Sequence, residues 1–398
     1  MNLSINRNKY RKTALVLVTM LWGASLSAAV TPQHTMDSLR QVMSHQKGEK
    51  KLNTMEEIYN QSLLVGDFKL QLRCLDEWQA EARRQGNAAS EAEARVDRIL
   101  DYFNVAIYDS IFHLSHDMMT FCEKHGMVRK KMQAWHMLVG AYHFTGQYNQ
   151  ALREVKLMYE EAHRVGSEYG ESMAYFNMGN VYYSMSHIEE SADAFEKSIP
   201  LMQKIDPEVL LEMYPYYCDA LESLKRYEKL DSVTHQWWQV IENRFAKGDE
   251  RDREILLANY FIACAQAKLG KGKLEEGEKY LNEVEKNLPG KKSYEYLFLL
   301  FYRAKLRMLQ GRYDEALKNL DGTGTFNEAL ACVLTDNLDK ASSLLAKDET
   351  PEGNYLKAII AARQGKESVM RKALKAASED DVLKARAKND IEFADYDL

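Results

Sequence analysis

Proline is scarce in this sequence, six residues in 398, where an average protein carries about 5%. Proline lacks an N–H and crowds the preceding turn, so its scarcity leaves room for long uninterrupted helices. Beyond residue 30 no apolar run approaches the roughly 18 residues that cross a bilayer, which excludes a membrane-spanning helix from the remainder of the chain. Positive charge is not in excess, since 53 Lys and Arg stand against 59 Asp and Glu, a net charge of −6. A nucleic-acid binder relying on a basic surface is therefore excluded. The five cysteines (Cys74, Cys122, Cys218, Cys264 and Cys332) are odd in number and lack C-x-x-C spacing, which excludes a fully paired disulfide framework. Each sits in an apolar-periodic stretch, where cysteine behaves as a small hydrophobe, and buried free thiols are expected.

Catalytic signatures are missing too. No G-x-x-x-x-G-K-[ST], G-x-G-x-x-G or G-x-S-x-G pattern occurs, and Lys268–Gly277 (KLGKGKLEEG) reads as an extended turn between helices. One constellation could hold a metal: His113 and His116, three apart on a helical face, with Cys122 and His125 beyond them. Only part of that set can converge, and no H-E-x-x-H supplies a general base. The plainer reading is the solvated side of a helix, so neither metal nor cofactor is expected. Acidic and basic runs such as Glu275–Asn287 likewise read as solvated helix faces.

What is present is ample material for a core: 45% of residues are hydrophobic and 28% charged, a globular balance that excludes wholesale disorder. The length exceeds what one core usually serves, so it implies either two domains or an elongated repeat. Self-comparison favours the repeat. Phe68, Tyr108, Tyr148, Ile188 and Tyr227 recur at spacings of 40, 40, 40 and 39, each after a short turn. Gly86, Gly126 and Gly166 recur at 40 and end charged amphipathic stretches, as glycine does where a helix stops in the left-handed conformation. Each unit then reads as helix, tight turn, helix, glycine stop, and a chain of such units buries its apolar stripes against its neighbours.

The residues inside the unit resemble the tetratricopeptide repeat. The third unit carries Trp135, Leu138 and Tyr142, then Gly146, Tyr148 and Ala151; the fourth carries Tyr175, Met178, Gly179 and Tyr182, then Phe195. Weaker units follow at Leu274, at Gly311–Leu317 around Tyr313, at Leu338 and at Glu367, where the spacing loosens. The resemblance spans roughly residues 50–378. It departs from the family in unit length, 40 residues against 34, which implies about three more residues in each helix. The fold it implies is an all-α right-handed α-solenoid of seven to eight helix pairs. The segment from Asn327 to Leu398 is similar to the closing part of exported repeat proteins of Gram-negative envelopes.

In that family the first helix of each pair lines the concave surface and carries the ligand at fixed positions. Those positions fall here on Gln133, His136, Gly140, His143 and Phe144, on Met173, Phe176, Asn180, Tyr183 and Ser184, and on Glu212, Pro215, Asp219, Glu222 and Ser223. The resemblance thus implies His136, His143, Phe144, Phe176, Asn180 and Tyr183 as partner-binding residues, with rings as anchors and Asn180 bonding an extended backbone. Asn180 matches the asparagine of the carboxylate-clamp subset. Phe176, Glu212 and Tyr216 stand where that clamp needs basic residues, which speaks against a clamp. A competing reading has these side chains buried by a tight superhelix or a neighbouring helix.

The first thirty residues read as a secretory leader. Arg7, Lys9, Arg11 and Lys12 precede a 12-residue apolar stretch, Thr13–Ala24, and Ser27 and Ala29 fit the small-residue positions before a cut. Cleavage after Ala29 is expected, an uncleaved anchor being the rival, and it removes four cations and takes the net charge to −10. The expected organisation is a signal peptide over 1–29, an array of 40-residue units over 30–250, and shorter, irregular units with a C-terminal cap over 251–398. The expected function is a non-catalytic, soluble, exported scaffold of the periplasm or envelope of a Gram-negative bacterium. It would bind a peptide segment or protein partner, with no nucleic acid and no membrane span in the mature chain; oligomeric state is left open. The rival reading is a stand-alone sensory module of a two-component system, since similar units form the sensory half of repeat-containing histidine kinases. That reading needs a membrane helix and a kinase domain, and neither is expected within residues 30–398.

Overall fold

The computed structural model describes residues 31–250, 252–288, 290 and 293–396; the expected leader and its cleavage site lie outside them. Among the described residues there are twenty α-helices and no strand. They fall into two compact units, residues 31–226 with His235–Glu250, and Tyr227–Thr234 with residues 252–396. Each is a tandem run of helix pairs, the build of an α-solenoid.

The first unit holds α1 (Pro32–Met43), α2 (Glu49–Val65), α3 (Phe68–Arg84), α4 (Ala88–Asn104), α5 (Tyr108–His125) and α6 (Val128–Phe144). It continues with α7 (Tyr148–Arg164), α8 (Glu168–Ser184), α9 (Ile188–Ile205), α10 (Leu210–Ser223) and the C-terminal part of α11 (Tyr227–Ala246). Six of these helices, α2, α3, α4, α6, α7 and α8, are 17 residues long, and two such helices with their turns fill the 40-residue period. Consecutive helices pack on each other across tight turns, and the first helices of successive pairs also touch, α4 on α6 and α6 on α8.

Local chemistry sets the helix ends. Asp67, Asn87 and Ser167 accept hydrogen bonds from the first free N–H groups of α3, α4 and α8. Gly126 and Gly166 hold positive φ, 66° and 68°, as the sequence predicts for helix stops. At Gly126 the stop is closed by Met127 N–H donating to the Cys122 carbonyl at 2.9 Å. A second left-handed position recurs at the ends of the first helices, on Gly66, Ala106, Gly146, Ser186 and Lys225. Three of those five are not glycine, so the turn is imposed by packing at a local backbone cost.

The pairs close by interlocking small and large residues. A Cβ placed on Gly179 would lie 2.8 Å from the Phe195 ring, so only glycine lets α8 approach α9 this closely. Ser191 donates to the Gly179 carbonyl at 2.8 Å, and Ser172 and Ser198 exchange hydrogen bonds with each other's backbone across the same contact. All five cysteines are buried, and Cys74, Cys122, Cys264 and Cys332 are free thiols.

The second unit holds α12 (Arg253–Gly270), α13 (Leu274–Lys286), α14 (Tyr294–Leu309), α15 (Tyr313–Leu320) and α16 (Phe326–Leu334). It ends with α17 (Leu338–Leu344), α18 (Pro351–Arg363), α19 (Glu367–Ala377) and α20 (Asp381–Ala387). The loosened spacing has a structural cause: α15 and α17 have shrunk to 8 and 7 residues. After α20, Phe393 packs edge-on against Tyr355 with ring centroids 5.7 Å apart. The Tyr396 hydroxyl donates to the Ala362 carbonyl at 2.9 Å, which ties the last turn back onto α18.

Candidate partner-binding face

The six partner-binding residues implied by the resemblance all lie on α6 and α8, first helices of successive pairs. Their contacts run across the repeats at an offset of one unit. His136 Nδ1 lies 2.8 Å from Asn177 Oδ1, and His143 Nε2 lies 2.7 Å from Ser184 Oγ, each pair 41 residues apart. The Tyr183 hydroxyl meets Ser223 Oγ of α10 at 3.4 Å, 40 residues on. Asn177 Oδ1 can only accept, so His136 donates from Nδ1. Burial pushes the His136 pKa below its ordinary value, with the Asn177 hydrogen bond opposing, so the ring is neutral at pH 7.

Rings interleave with these polar bonds. Phe176 contacts His136 (6.0 Å between centroids), Phe195 of its own pair (6.0 Å) and Tyr216 of the next first helix (5.7 Å, edge-on). Phe144 stacks parallel to Tyr108 at 5.9 Å and meets Phe103 edge-on at 5.4 Å. Phe176, Tyr183 and His143 are buried, while His136 and Phe144 are partly exposed. The six residues are thus brought together, and most of their ring area is already in contact. Among the further positions implied by the resemblance, Asp219 and Glu222 are buried and Glu212 is exposed.

Asn180 differs from its neighbours. It is 9% exposed, one turn from Phe176 and from Tyr183, and its Oδ1 has no hydrogen-bond partner. On α6, Gln133 Oε1 is likewise buried and unpartnered. A buried acceptor left unpaired costs roughly 1–3 kcal/mol, so these oxygens mark where a donor from outside would be welcome.

The sequence reading missed a carboxylate group at the other end of the face. Tyr59 of α2 donates to Asp101 Oδ1 of α4 at 2.9 Å, while Asp101 Oδ2, also buried, has no partner. Asp97 lies one turn earlier. Burial first, then the charges of Glu93 and Asp101, push its pKa up to about 7, with Lys130 of α6 opposing. Burial raises Asp101 to about 6 against the Tyr59 hydrogen bond and Arg98. Lys130 forms an ion pair with Glu93. Reading the sequence at the 41-residue offset, rather than helix by helix, would have set Glu56 beside Asp97.

The candidate metal residues are not drawn together: His113, His116 and His125 are exposed, whereas Cys122 is buried in the core of its pair. Among the described residues no group of three or more His, Cys, Asp and Glu is arranged to hold a metal ion. No described helix is long and apolar enough to cross a membrane.

No family model and no curated protein matches the sequence. Solved structures do. A tetratricopeptide repeat protein from Parabacteroides merdae ATCC 43184 is similar at 13% identity and a TM-score of 0.36, over 79% of this chain and 96% of that one. The apo form of the quorum sensor NprR from B. thuringiensis is similar at 12% identity and a TM-score of 0.42, over 95% and 97%. The Cut9–Hcn1 hetero-tetramer of APC/C supplies a third likeness, 12% identical with a TM-score of 0.38, over 90% and 82%.

Proposed function

We propose that this chain is a non-catalytic protein-interaction scaffold that holds a peptide or protein segment on the face of its first helices, around Asn180. The observation that carries the reading is the unpartnered Asn180 Oδ1, nine-tenths buried between Phe176 and Tyr183. A side-chain amide both donates and accepts, and so matches the N–H and C=O of an extended backbone. His136, His143 and Phe144 lie on the preceding first helix, their rings held in place by the cross-repeat bonds to Asn177 and Ser184 and by the stack on Tyr108. Anchors fixed in advance lose little entropy when a ligand arrives. The scaffold works in the periplasm or envelope of a Gram-negative bacterium, a reading supported by the cations, the 12-residue apolar stretch and the small residues at the start of the chain. Selection of a random peptide library on the immobilised full chain tests the binding role. Enrichment of related sequences that protect Asn180 and Phe144 from amide exchange is the expected result. Enrichment of none, or protection confined to other helices, overturns it.

A further inference from the structure

On the N-terminal repeats the same set of helix positions is open. Leu63 and Leu64 at the end of α2 and Leu100 on α4 are exposed, by 42%, 40% and 36%. Leu63 and Leu64 follow Glu56 by seven and eight residues, and Leu100 follows Glu93 by seven, so each helix carries a glutamate two turns before an exposed leucine, with Asp97 and Asp101 close to Leu100 on α4. The Tyr59–Asp101 hydrogen bond ties the two helices side by side and sets Glu56 next to Asp97. Four carboxylates, Glu56, Glu93, Asp97 and Asp101, therefore share one field with two cations, Lys130, which already pairs with Glu93, and Arg98, which already pairs with Asp76. Independently of that charge, Asp101 is 3% exposed and its Oδ2 lacks a donor.

We propose that this stripe of α2 and α4 docks a cationic–aliphatic segment of another protein, with Lys or Arg over the carboxylates and aliphatic side chains over the leucines. Along the helices Glu56 lies about 12 Å before Leu64 and Glu93 about 10 Å before Leu100, at 1.5 Å per residue. A surplus of acceptors calls for a ligand rich in N–H donors, and charge-assisted bonds to carboxylate are the strong ones. Exposed leucines gathered on one stripe mark an interaction surface better than scattered ones do. An acidic or wholly polar segment matches neither half. The site lies apart from Asn180 and stands whether or not Asn180 holds a peptide.

The test is fluorescence anisotropy of the full chain with a labelled synthetic peptide in which a lysine pair is followed, roughly 12 Å on, by a leucine pair. The expected result is saturable binding, weakened about tenfold by the double change Glu56→Gln with Asp97→Asn and by Leu64→Ser with Leu100→Ser. Raising the salt should also weaken it, while Asn180→Ala should leave it unchanged. Equal binding of a control peptide with glutamates for lysines would overturn the proposal. So would wild-type affinity in both double variants, or no binding to the wild-type chain.

Discussion

Asp97→Asn should make the protein more stable above neutral pH and leave it unchanged only below about pH 4. Asp97 is partly buried on α4 within the field of Glu93 and Asp101, and its pKa is raised from 3.8 to about 7. A carboxyl whose folded pKa is raised binds more protons folded than unfolded. Its contribution is therefore complete below about pH 4 and is lost as the pH climbs through about 7. A rise from 3.8 to about 7, the opposing charge of Lys130 included, corresponds to roughly 4 kcal/mol against the ionised form, and partial water access brings the working figure to about 2 kcal/mol. Asparagine keeps the shape and removes the charge. Scanning calorimetry near pH 4 and near pH 8 should find wild type losing several degrees across the interval, and the variant losing clearly less. Asp101, raised to about 6, leaves the variant some slope of the same sign. An Asp97→Asn chain that melts below wild type near pH 8, or tracks it at both values, would show that Asp97 carries no such penalty.

Other outcomes follow from the backbone and the pairing of helices. Ala106→Gly and Ser186→Gly should each stabilise the chain by about 1 kcal/mol in denaturant titrations, because both residues hold positive φ (58° and 64°) that glycine adopts freely. Gly179→Ala should cost about 2 kcal/mol or more, since its methyl would sit 2.8 Å from the Phe195 ring at the α8–α9 contact; a melt matching wild type would refute that interlock. Mass spectrometry of protein recovered from the source cell should find a chain beginning at Val30, and an intact Met1 terminus would contradict export with cleavage.

Much of the fold was legible because packing forces regularity onto the sequence. A helix pair closes only where small meets large, so Gly179 opposite Phe195 is visible as a spaced pattern. Gly126 and Gly166 stand where the chain must turn left-handed, and only glycine does so without strain. The second turn series was half hidden: Ala106, Ser186 and Lys225 accept positive φ under pressure from their neighbours, and nothing in their identity announces it. Periodicity also names the side of a helix a residue occupies without saying what lies over that side. It placed Phe176 and Tyr183 on one face, yet the ring contacts to Tyr216 and the hydrogen bond to Ser223 come from the next repeat. Asp97 and Asp101 were overlooked for a related reason. Charges on a helix ordinarily face solvent, and here a neighbouring first helix turns part of that surface inward.

The central claim, that the face around Asn180 holds a peptide backbone, is tested most directly by Asn180→Ala measured two ways on the full chain. Its Oδ1 has no partner in the unbound protein, so removing the amide takes away an unpaired polar group and should leave the melting temperature unchanged or slightly higher. A bound backbone would lose two hydrogen bonds worth about 1 kcal/mol each, so peptides selected on wild type should bind roughly thirtyfold more weakly by anisotropy. Undiminished affinity in a folded Asn180→Ala chain would contradict the account, as would a fall in melting temperature large enough to explain the loss by unfolding.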